Sequence, residues 1–223
     1  MKVKLMLFVM LMTVAATITN AQKTTVGLRG GINFFNITGK FANGDKRDNN
    51  LKTGFNFGAN AEIPVGIDFF VQPGVIYITK GAKSTSAGTE YNTKIDYIEV
   101  PVNLLYKPEL GKGKLLLGFG PYVAFGVGGK VIVRTSGGEQ KLELQFENEI
   151  PSGGMVPGNA YMKRFDAGAN FLFGYEFANR FSVQLNAGLG LVNTYPKIQG
   201  MDTGKSSAKN TGFGVSVGYR FAR

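Results

Sequence analysis

Hydrophobic and polar residues alternate with a period of two along most of this chain. The clearest example is Arg164–Phe177, RFDAGANFLFGYEF, in which every odd-numbered residue is Phe, Ala or Tyr and most even-numbered residues are Arg, Asp, Gly, Asn or Glu. Successive side chains of a β-strand point to opposite faces of the sheet, so this pattern is typical of a strand with one apolar and one polar face. No stretch has a convincing helical period, and the sequence therefore predicts an all-β protein.

The alternation predicts eight strands that are joined by connections of two lengths. The predicted strands are Thr25–Phe35, Thr53–Ile63, Ile67–Lys80, Asp96–Lys107, Leu115–Val127, Arg164–Phe177, Phe181–Leu191 and Thr211–Phe221. Short turns follow the second, fourth and sixth strands, at Pro64–Gly66, Pro108–Lys114 and Ala178–Arg180. Long polar connections follow the other strands, at Asn36–Lys52, Gly81–Ile95, Gly128–Lys163 and Val192–Asn210. Bacterial outer-membrane barrels have this alternation, with short periplasmic turns and longer external loops.

The volumes of the two faces indicate which face points inward. Phe, Leu, Val and Tyr dominate the apolar face, whereas Gly, Ser, Gln and Asn dominate the polar face. A closed eight-stranded barrel has room inside only for modest side chains, so the bulky face must point outward, toward lipid. A soluble barrel such as a lipocalin would have the opposite arrangement. We therefore expect an eight-stranded antiparallel up-and-down transmembrane β-barrel of the bacterial outer membrane, with both termini in the periplasm.

Aromatic residues cluster at the predicted short-turn end, as they do at the membrane interfaces of such barrels. They are Phe69, Tyr106, Tyr175, Phe177, Phe181, Tyr219 and Phe221.

Charged residues also occupy inward positions, and the two signs are balanced. The acidic residues are Glu62, Asp68, Glu99, Asp166 and Glu176, and the basic residues are Arg29, Lys80, Lys107, Arg164 and Arg220. Ions in a confined space persist when they are paired and hydrogen-bonded. The pattern predicts an interior ion-pair network that plugs the lumen; the alternative is that these charges line an ion path.

The N-terminus predicts export from the cytoplasm. Lys2 and Lys4 precede the apolar run Leu5–Ile18, and Thr19–Ala21 resembles a cleavage site. This run is shorter than the roughly 20 residues that a spanning helix needs. Residues 1–21 are thus predicted to be a cleaved signal peptide, with residues 22–223 as the barrel domain; a buried N-terminal helix is the alternative. The net charge is +10, but the sequence contains no long run of Lys and Arg residues, so no nucleic-acid partner is expected.

Several kinds of catalytic chemistry lack their usual residues. The chain contains no histidine and no cysteine, so a His general base, a thiol nucleophile and a zinc site of His/Cys type are excluded. The segment Gly126–Lys130 lacks the spacing of a phosphate-binding loop. We expect no enzymatic activity, no metal and no cofactor. A mechanism that uses only carboxylates, through Glu99 or Asp166, is the alternative.

Four segments together resemble the PorT-like outer-membrane β-barrel domain family. They are GLRGGINF (Gly27–Phe34), DYIEVPVNLLYKP (Asp96–Pro108), GFGPYVAFG (Gly118–Gly126) and GVSVGYRF (Gly214–Phe221). The resemblance implies a barrel in the outer membrane of a Gram-negative bacterium but no single activity; the founding member is associated with a protein secretion apparatus. Such barrels usually end on an aromatic residue that the assembly machinery recognises. Here Ala222 and Arg223 follow Phe221, which we expect to be the assembly signal.

The functional hypothesis is a non-enzymatic barrel with a structural or interaction role through its long external loops. The loop Gly128–Lys163 contains a predicted hairpin, with Val131–Arg134 and Lys141–Phe146 on either side of a Ser-Gly-Gly-Glu turn. The expected partners are outer-membrane lipid and lipopolysaccharide, the assembly machinery, and a protein at the external loops. The alternatives are a small-solute transport protein and an accessory component of a secretion apparatus.

Overall fold

The computed structural model describes residues 24–154, 156–200 and 204–221. The signal peptide predicted for residues 1–21 lies outside these ranges and stays a prediction. Within them, no helix is long and apolar enough to cross a membrane.

Thirteen strands make up the described chain, and eight of them close into a ring. In chain order they are β1 (Thr25–Lys40), β2 (Asn50–Gly66), β3 (Phe69–Ser86), β4 (Thr89–Tyr106), β5 (Glu109–Leu110), β6 (Gly113–Thr135), β7 (Gly138–Phe146), β8 (Glu149–Ile150), β9 (Asn159–Met162), β10 (Phe165–Glu176), β11 (Phe181–Gly190), β12 (Lys197–Ile198) and β13 (Ser207–Arg220). The ring runs β1-β2-β3-β4-β6-β10-β11-β13, and β13 pairs with β1 to close it. All eight seams are antiparallel, so the predicted eight-stranded barrel is confirmed.

The barrel is apolar on its outside and polar over much of its inside. Phe57, Phe171 and Val217 point outward and are 57%, 53% and 60% exposed, whereas the inward Asn33 and Ser216 are 2% and 1% exposed. A soluble protein of this size does not expose so large a continuous apolar band. The predicted orientation of the two faces is therefore correct.

Small inward residues let the strands close around a narrow interior. A side chain at Gly120 would collide with the backbone of Val102 on the neighbouring strand β4. Glycine at such positions is required by the close approach of the two strands.

Aromatic rings pack against one another at the short-turn end. Ring centroids are 4.7 Å apart for Phe69 and Tyr106, 4.9 Å for Phe181 and Tyr219, and 5.2 Å for Tyr219 and Phe221. These contacts form a belt at the level where the strands end, which is the position of an interfacial aromatic girdle.

At the long-loop end the strands continue further than the sequence pattern predicts. The segment Gly81–Ile95, predicted as a long loop, belongs almost entirely to β3 and β4. These strands meet at a two-residue turn in which Ala87 and Gly88 have φ angles of 48° and 78°. Such a left-handed turn matches the twist of a hairpin. The loop prediction is wrong here because polar residues occupy both faces beyond the apolar band, which removes the alternation.

The predicted hairpin in the next connection is confirmed. Strand β6 continues to Thr135 and pairs with β7, with Lys130 opposite Glu143 and Thr135 opposite Gly138. Strand β9 then adds to β7 in parallel, and the short strands β8 and β12 pair with each other. The long-loop end is therefore ordered sheet rather than extended coil.

Candidate functional site

The lumen near the short-turn end holds two cations and two carboxylates. Lys107 Nζ lies 2.7 Å from Glu62 and 2.9 Å from Glu176. Arg220 lies 2.7 Å from the other oxygen of Glu62 and 4.0 Å from Glu176, and it donates a hydrogen bond of 2.8 Å to Asn60. All four charged side chains are at most 13% exposed. This cluster is neutral as a whole, which is the arrangement in which confined ions are tolerated.

A second cluster surrounds Lys80 further toward the long-loop end. Lys80 Nζ lies 2.8 Å from Glu99 and 3.2 Å from Asp166, and its side chain is 1% exposed. The Asp166 carboxylate accepts hydrogen bonds from Asn210 at 2.9 Å and from the Tyr122 hydroxyl at 3.4 Å. The ammonium group also lies 4.3 Å from the centroid of the Tyr122 ring, a favourable cation–π distance. One cation here faces two carboxylates.

Arg29 supplies the remaining positive charge inside the barrel. Its guanidinium donates a hydrogen bond of 3.1 Å to Asn186, and no carboxylate of the described chain lies within 4.0 Å of it. Its charge balances the excess carboxylate around Lys80, so among the described residues the lumen holds four basic and four acidic side chains. The cavity beside Arg29 and Glu99 has a volume of about 40 Å³. That is room for a few water molecules at most.

Two of the ten predicted network residues lie elsewhere. The guanidinium of Arg164 lies outside the lumen, 5.4 Å from the centroid of the Phe146 ring, because β10 begins only at Phe165 and the inward parity does not extend to residue 164. Asp68 lies in the turn between β2 and β3 with φ of 60°, where its backbone carbonyl accepts a hydrogen bond from Lys107. Neither residue forms an ion pair within the described chain.

The network also contains neutral partners that the sequence analysis missed. Tyr97, Tyr122 and Asn210 are at most 2% exposed. Tyr122 and Asn210 donate hydrogen bonds to the Asp166 carboxylate, and the Tyr97 hydroxyl accepts one of 3.3 Å from Asn210. The inward parity of β4 and β6 would have identified the two tyrosines. Asn210 had no comparable signal, because the pattern placed it at the end of a loop.

A layer of apolar side chains covers the lumen at the long-loop end. Leu144 of β7 and Met162 of β9 are both 8% exposed, and they pack into one cluster with inward residues of the barrel wall. Two glycines of β6 make this packing possible. A side chain at Gly126 would collide with the ring of Phe146, and a Cβ at Gly129 would come within 2.7 Å of Leu144. The third long connection thus folds back over the barrel mouth.

Arg47 joins two of the other loops above the barrel. Its guanidinium lies 4.6 Å from the ring centroid of Phe41 and 5.4 Å from that of Tyr195, and its Nε donates a 3.0 Å hydrogen bond to the carbonyl of Ser207. Burial lowers the pKa of Arg47 from its usual value, because leaving water disfavours the charged form. The contacts fix the β1–β2 loop against the connection that leads into β13.

Comparison with known proteins identifies the family of this barrel. The family model described as "Outer membrane protein beta-barrel domain" matches residues 5–221. The chain belongs to this family. It is accordingly an outer-membrane protein, and its exposed apolar band is the surface that faces lipid.

Solved structures with similar folds have low sequence identity to this family member. The attachment invasion locus protein Ail of Yersinia pestis is 13% identical, with 90% of this chain and 100% of that chain covered and a TM-score of 0.42. Its complex with the heparin analogue sucrose octasulfate gives 14% identity, the same coverage and a TM-score of 0.40. Neisserial surface protein A gives 9% identity, again 90% and 100% coverage, and a TM-score of 0.44. No curated protein matches the chain.

Proposed function

We propose that this family member is a non-enzymatic outer-membrane barrel with a closed lumen, and that it acts through the sheet and loops at its external end. The observation that carries the proposal is the filling of the interior. Charged side chains of both signs are paired within the lumen, and an apolar cluster that includes Leu144 and Met162 closes the barrel mouth at the long-loop end. A barrel built in this way has its accessible chemistry outside the lumen.

The external end has the order that a binding surface needs. Strands β3 and β4 continue to the turn at Ala87 and Gly88, and β6 and β7 form a second projecting hairpin. Ordered side chains lose less conformational entropy on binding than those of a flexible loop. This supports an external protein or glycan partner, in addition to the lipid that surrounds the barrel.

We further propose that the chain is a PorT-like member of the family. Two of the segments that carry this resemblance, Asp96–Pro108 and Gly118–Gly126, lie on the paired strands β4 and β6. Between them they supply Tyr97, Glu99 and Tyr122 to the cluster around Lys80. These residues of the two motifs therefore contribute to one structural environment inside the barrel. An accessory role in a secretion apparatus is the second candidate function that follows from this resemblance.

Phe221 is our candidate for the signal that the assembly machinery recognises. Its backbone N–H donates a 2.9 Å hydrogen bond to Val26, and its ring is 44% exposed beside Tyr219. It is therefore an accessible aromatic residue at the end of the last barrel strand.

Electrical recording tests the closed lumen. The purified, folded protein is inserted into planar bilayers beside a 16-stranded porin as the positive control. We expect no steady conductance from this barrel, because open aqueous channels belong to barrels of about 16–18 strands. Large and stable single-channel steps would reject the closed lumen and favour the transport alternative.

Purification from native membranes tests the two candidate roles. A stable, stoichiometric set of secretion proteins that copurifies with the barrel would favour the secretion role. Copurification with lipid alone would favour the role in binding at the external surface over the secretion role.

A further inference from the structure

We propose that the outer wall of the barrel, just beyond its apolar band, carries a binding site for the phosphate groups of an outer-leaflet glycolipid. The site, here called the basic rim, consists of Lys52, Lys83, Lys94 and Lys130. It faces away from the barrel axis and is separate from the lumen and from the cover over its mouth.

The register of the strands brings these lysines to one face. Lys94 of β4 is directly opposite Lys130 of β6, and Gly81 of β3 is opposite Lys94. Because Gly81 lacks a side chain, Lys52 extends across it, with its Cδ 2.9 Å from the place where a Cβ would be. Lys83, two residues further along β3, points to the same side of the strand. Three adjacent strands and the end of a fourth therefore converge on one basic patch.

The patch has an excess of positive charge. Lys94 is 3.1 Å from Asp96, and Glu143 of β7 is the cross-strand neighbour of Lys130. Four ammonium groups thus face two carboxylates, and within the described chain only Lys94 of the four has a carboxylate within 4.0 Å. Like charges directly opposite each other in a sheet are destabilising. Repulsion between Lys94 and Lys130 therefore destabilises the barrel when no ligand is bound, and a bound anion would reduce this repulsion.

The state of Lys52 reflects this crowding. Burial lowers the pKa of its ammonium group, and the nearby positive charges of Lys83, Lys94 and Lys130 lower it further, against a smaller opposing effect of Asp96. A phosphate placed among the four lysines would reverse the electrostatic part of this shift.

The height of the patch matches the headgroup layer. The outermost apolar side chains on the same strands include Tyr77 of β3 and Ile98 of β4. Lys94 of the basic rim and the opposite residue Gly81 lie four residues beyond Ile98 and Tyr77, respectively. Four residues span about 13 Å along a strand, or about 9 Å along the membrane normal at a tilt of about 45°. The polar layer on each side of the hydrocarbon core is about 5–8 Å thick. Lipid phosphates therefore lie at the level that these ammonium groups reach.

A polar groove continues the patch away from the membrane. It has a volume of about 230 Å³ and is lined by Lys83, Asn92 and Arg134, among other residues of β2, β3, β4 and β6. The Asn92 amide and the hydroxyl groups of Ser84, Thr85 and Tyr91 belong to this lining, and such groups can hydrogen-bond to sugar hydroxyls. The groove therefore suits the glycan that a phosphorylated glycolipid carries above its phosphates. A lipid bound in this way would place its phosphates at the basic rim and its sugars in the groove farther from the membrane.

Binding of a defined lipid to the full barrel tests the site. The folded protein in neutral detergent is titrated with lipid A that bears both phosphates, and with the same lipid after removal of the phosphates, while bound lipid is counted by native mass spectrometry. We expect the phosphorylated lipid to bind at least tenfold more tightly. The double variant Lys94→Gln/Lys130→Gln should lose most of this preference, and Lys94→Arg/Lys130→Arg should keep it.

The control removes the same charge at the same end of the barrel. Lys40→Gln/Lys46→Gln changes two exposed lysines, one at the end of β1 and one in the loop that follows, and should leave the preference intact. A preference that survives in Lys94→Gln/Lys130→Gln, or that is lost equally in the control, would overturn the proposal. Tight binding of a soluble sulfated glycan with no preference among the lipids would also overturn it, because the occupant would then not be a lipid.

Salt gives a second measurement on the unmodified protein, which is informative even if the glutamine variant fails to fold. Raising NaCl from 50 to 500 mM should weaken binding of the phosphorylated lipid several-fold, because exposed charges are screened. A preference that does not change with salt would contradict an electrostatic site.

Discussion

Replacing Lys80 with methionine removes the cation that lies between Glu99 and Asp166. The lysine nitrogen is 2.8 Å from one carboxylate and 3.2 Å from the other, and all three side chains are at most 5% exposed. With an effective dielectric constant of about 20, the two attractions are about 6 and about 5 kcal/mol. The cost of removing these ions from water offsets much of this gain. We therefore expect Lys80→Met to lower the free energy of unfolding by about 3–5 kcal/mol, the range for a buried pair that loses one partner.

The assay is equilibrium unfolding in urea after the protein has been folded into lipid vesicles. The fraction of folded barrel is measured by its shift in gel mobility. The double variant Lys80→Met/Asp166→Asn removes one carboxylate charge as well and should be more stable than Lys80→Met, because the remaining Glu99 carboxylate is then balanced by the charge of Arg29, which lines the same cavity. Lys112→Met, in an exposed turn, is the control and should change stability by less than about 0.5 kcal/mol. A double variant that is no more stable than Lys80→Met would refute the reasoning.

Three further predictions concern other parts of the barrel. Phe171→Arg, near the middle of β10, should destabilise the barrel in vesicles by about 2–4 kcal/mol, and Phe177→Arg at the aromatic belt by about 0–1 kcal/mol; equal losses would contradict the depth assignment. An epitope inserted after Gly44 should be accessible to antibody on intact cells and one inserted after Lys112 should not, and the reverse result would invert the topology. Phe221→Ala should slow assembly in cells, measured as the rate at which folded barrel appears, while unfolding in vitro changes by no more than about 1 kcal/mol; unchanged assembly would remove its role as the signal.

The barrel itself could be predicted because its two faces differ in both polarity and volume. Apolar residues such as Phe171 alternate with polar residues such as Asn170 over a whole strand, and this period of two differs from the period of a helix. The same rule fails wherever the environment is the same on both sides of the sheet. Around Lys83 and Asn92 both faces of the β3–β4 hairpin carry polar residues, so its strands resemble a loop in sequence although they are fully paired.

The interior network was only partly predictable for a related reason. Parity gives the direction of a side chain only while the strand is regular. It placed Lys80 and Glu99 in the lumen, but it failed for Asp68, which occupies a turn, and for Arg164, which precedes its strand. Sequence parity could not identify the basic rim, because its lysines become neighbours only through the register in which β2, β3, β4 and β6 pair.

The seam between β1 and β13 sets the order in which this barrel can form. Seven of the eight seams join strands that follow one another around the ring in chain order, whereas this one joins the first to the last, with Gly27 opposite Arg220. A contact between residues so far apart in sequence forms late, because the intervening chain must be ordered first. Until then both strands have unpaired backbone edges that lipid cannot satisfy. Ring closure is therefore the step at which a partly inserted chain is most exposed to misfolding, and at which a catalyst of assembly has the greatest effect.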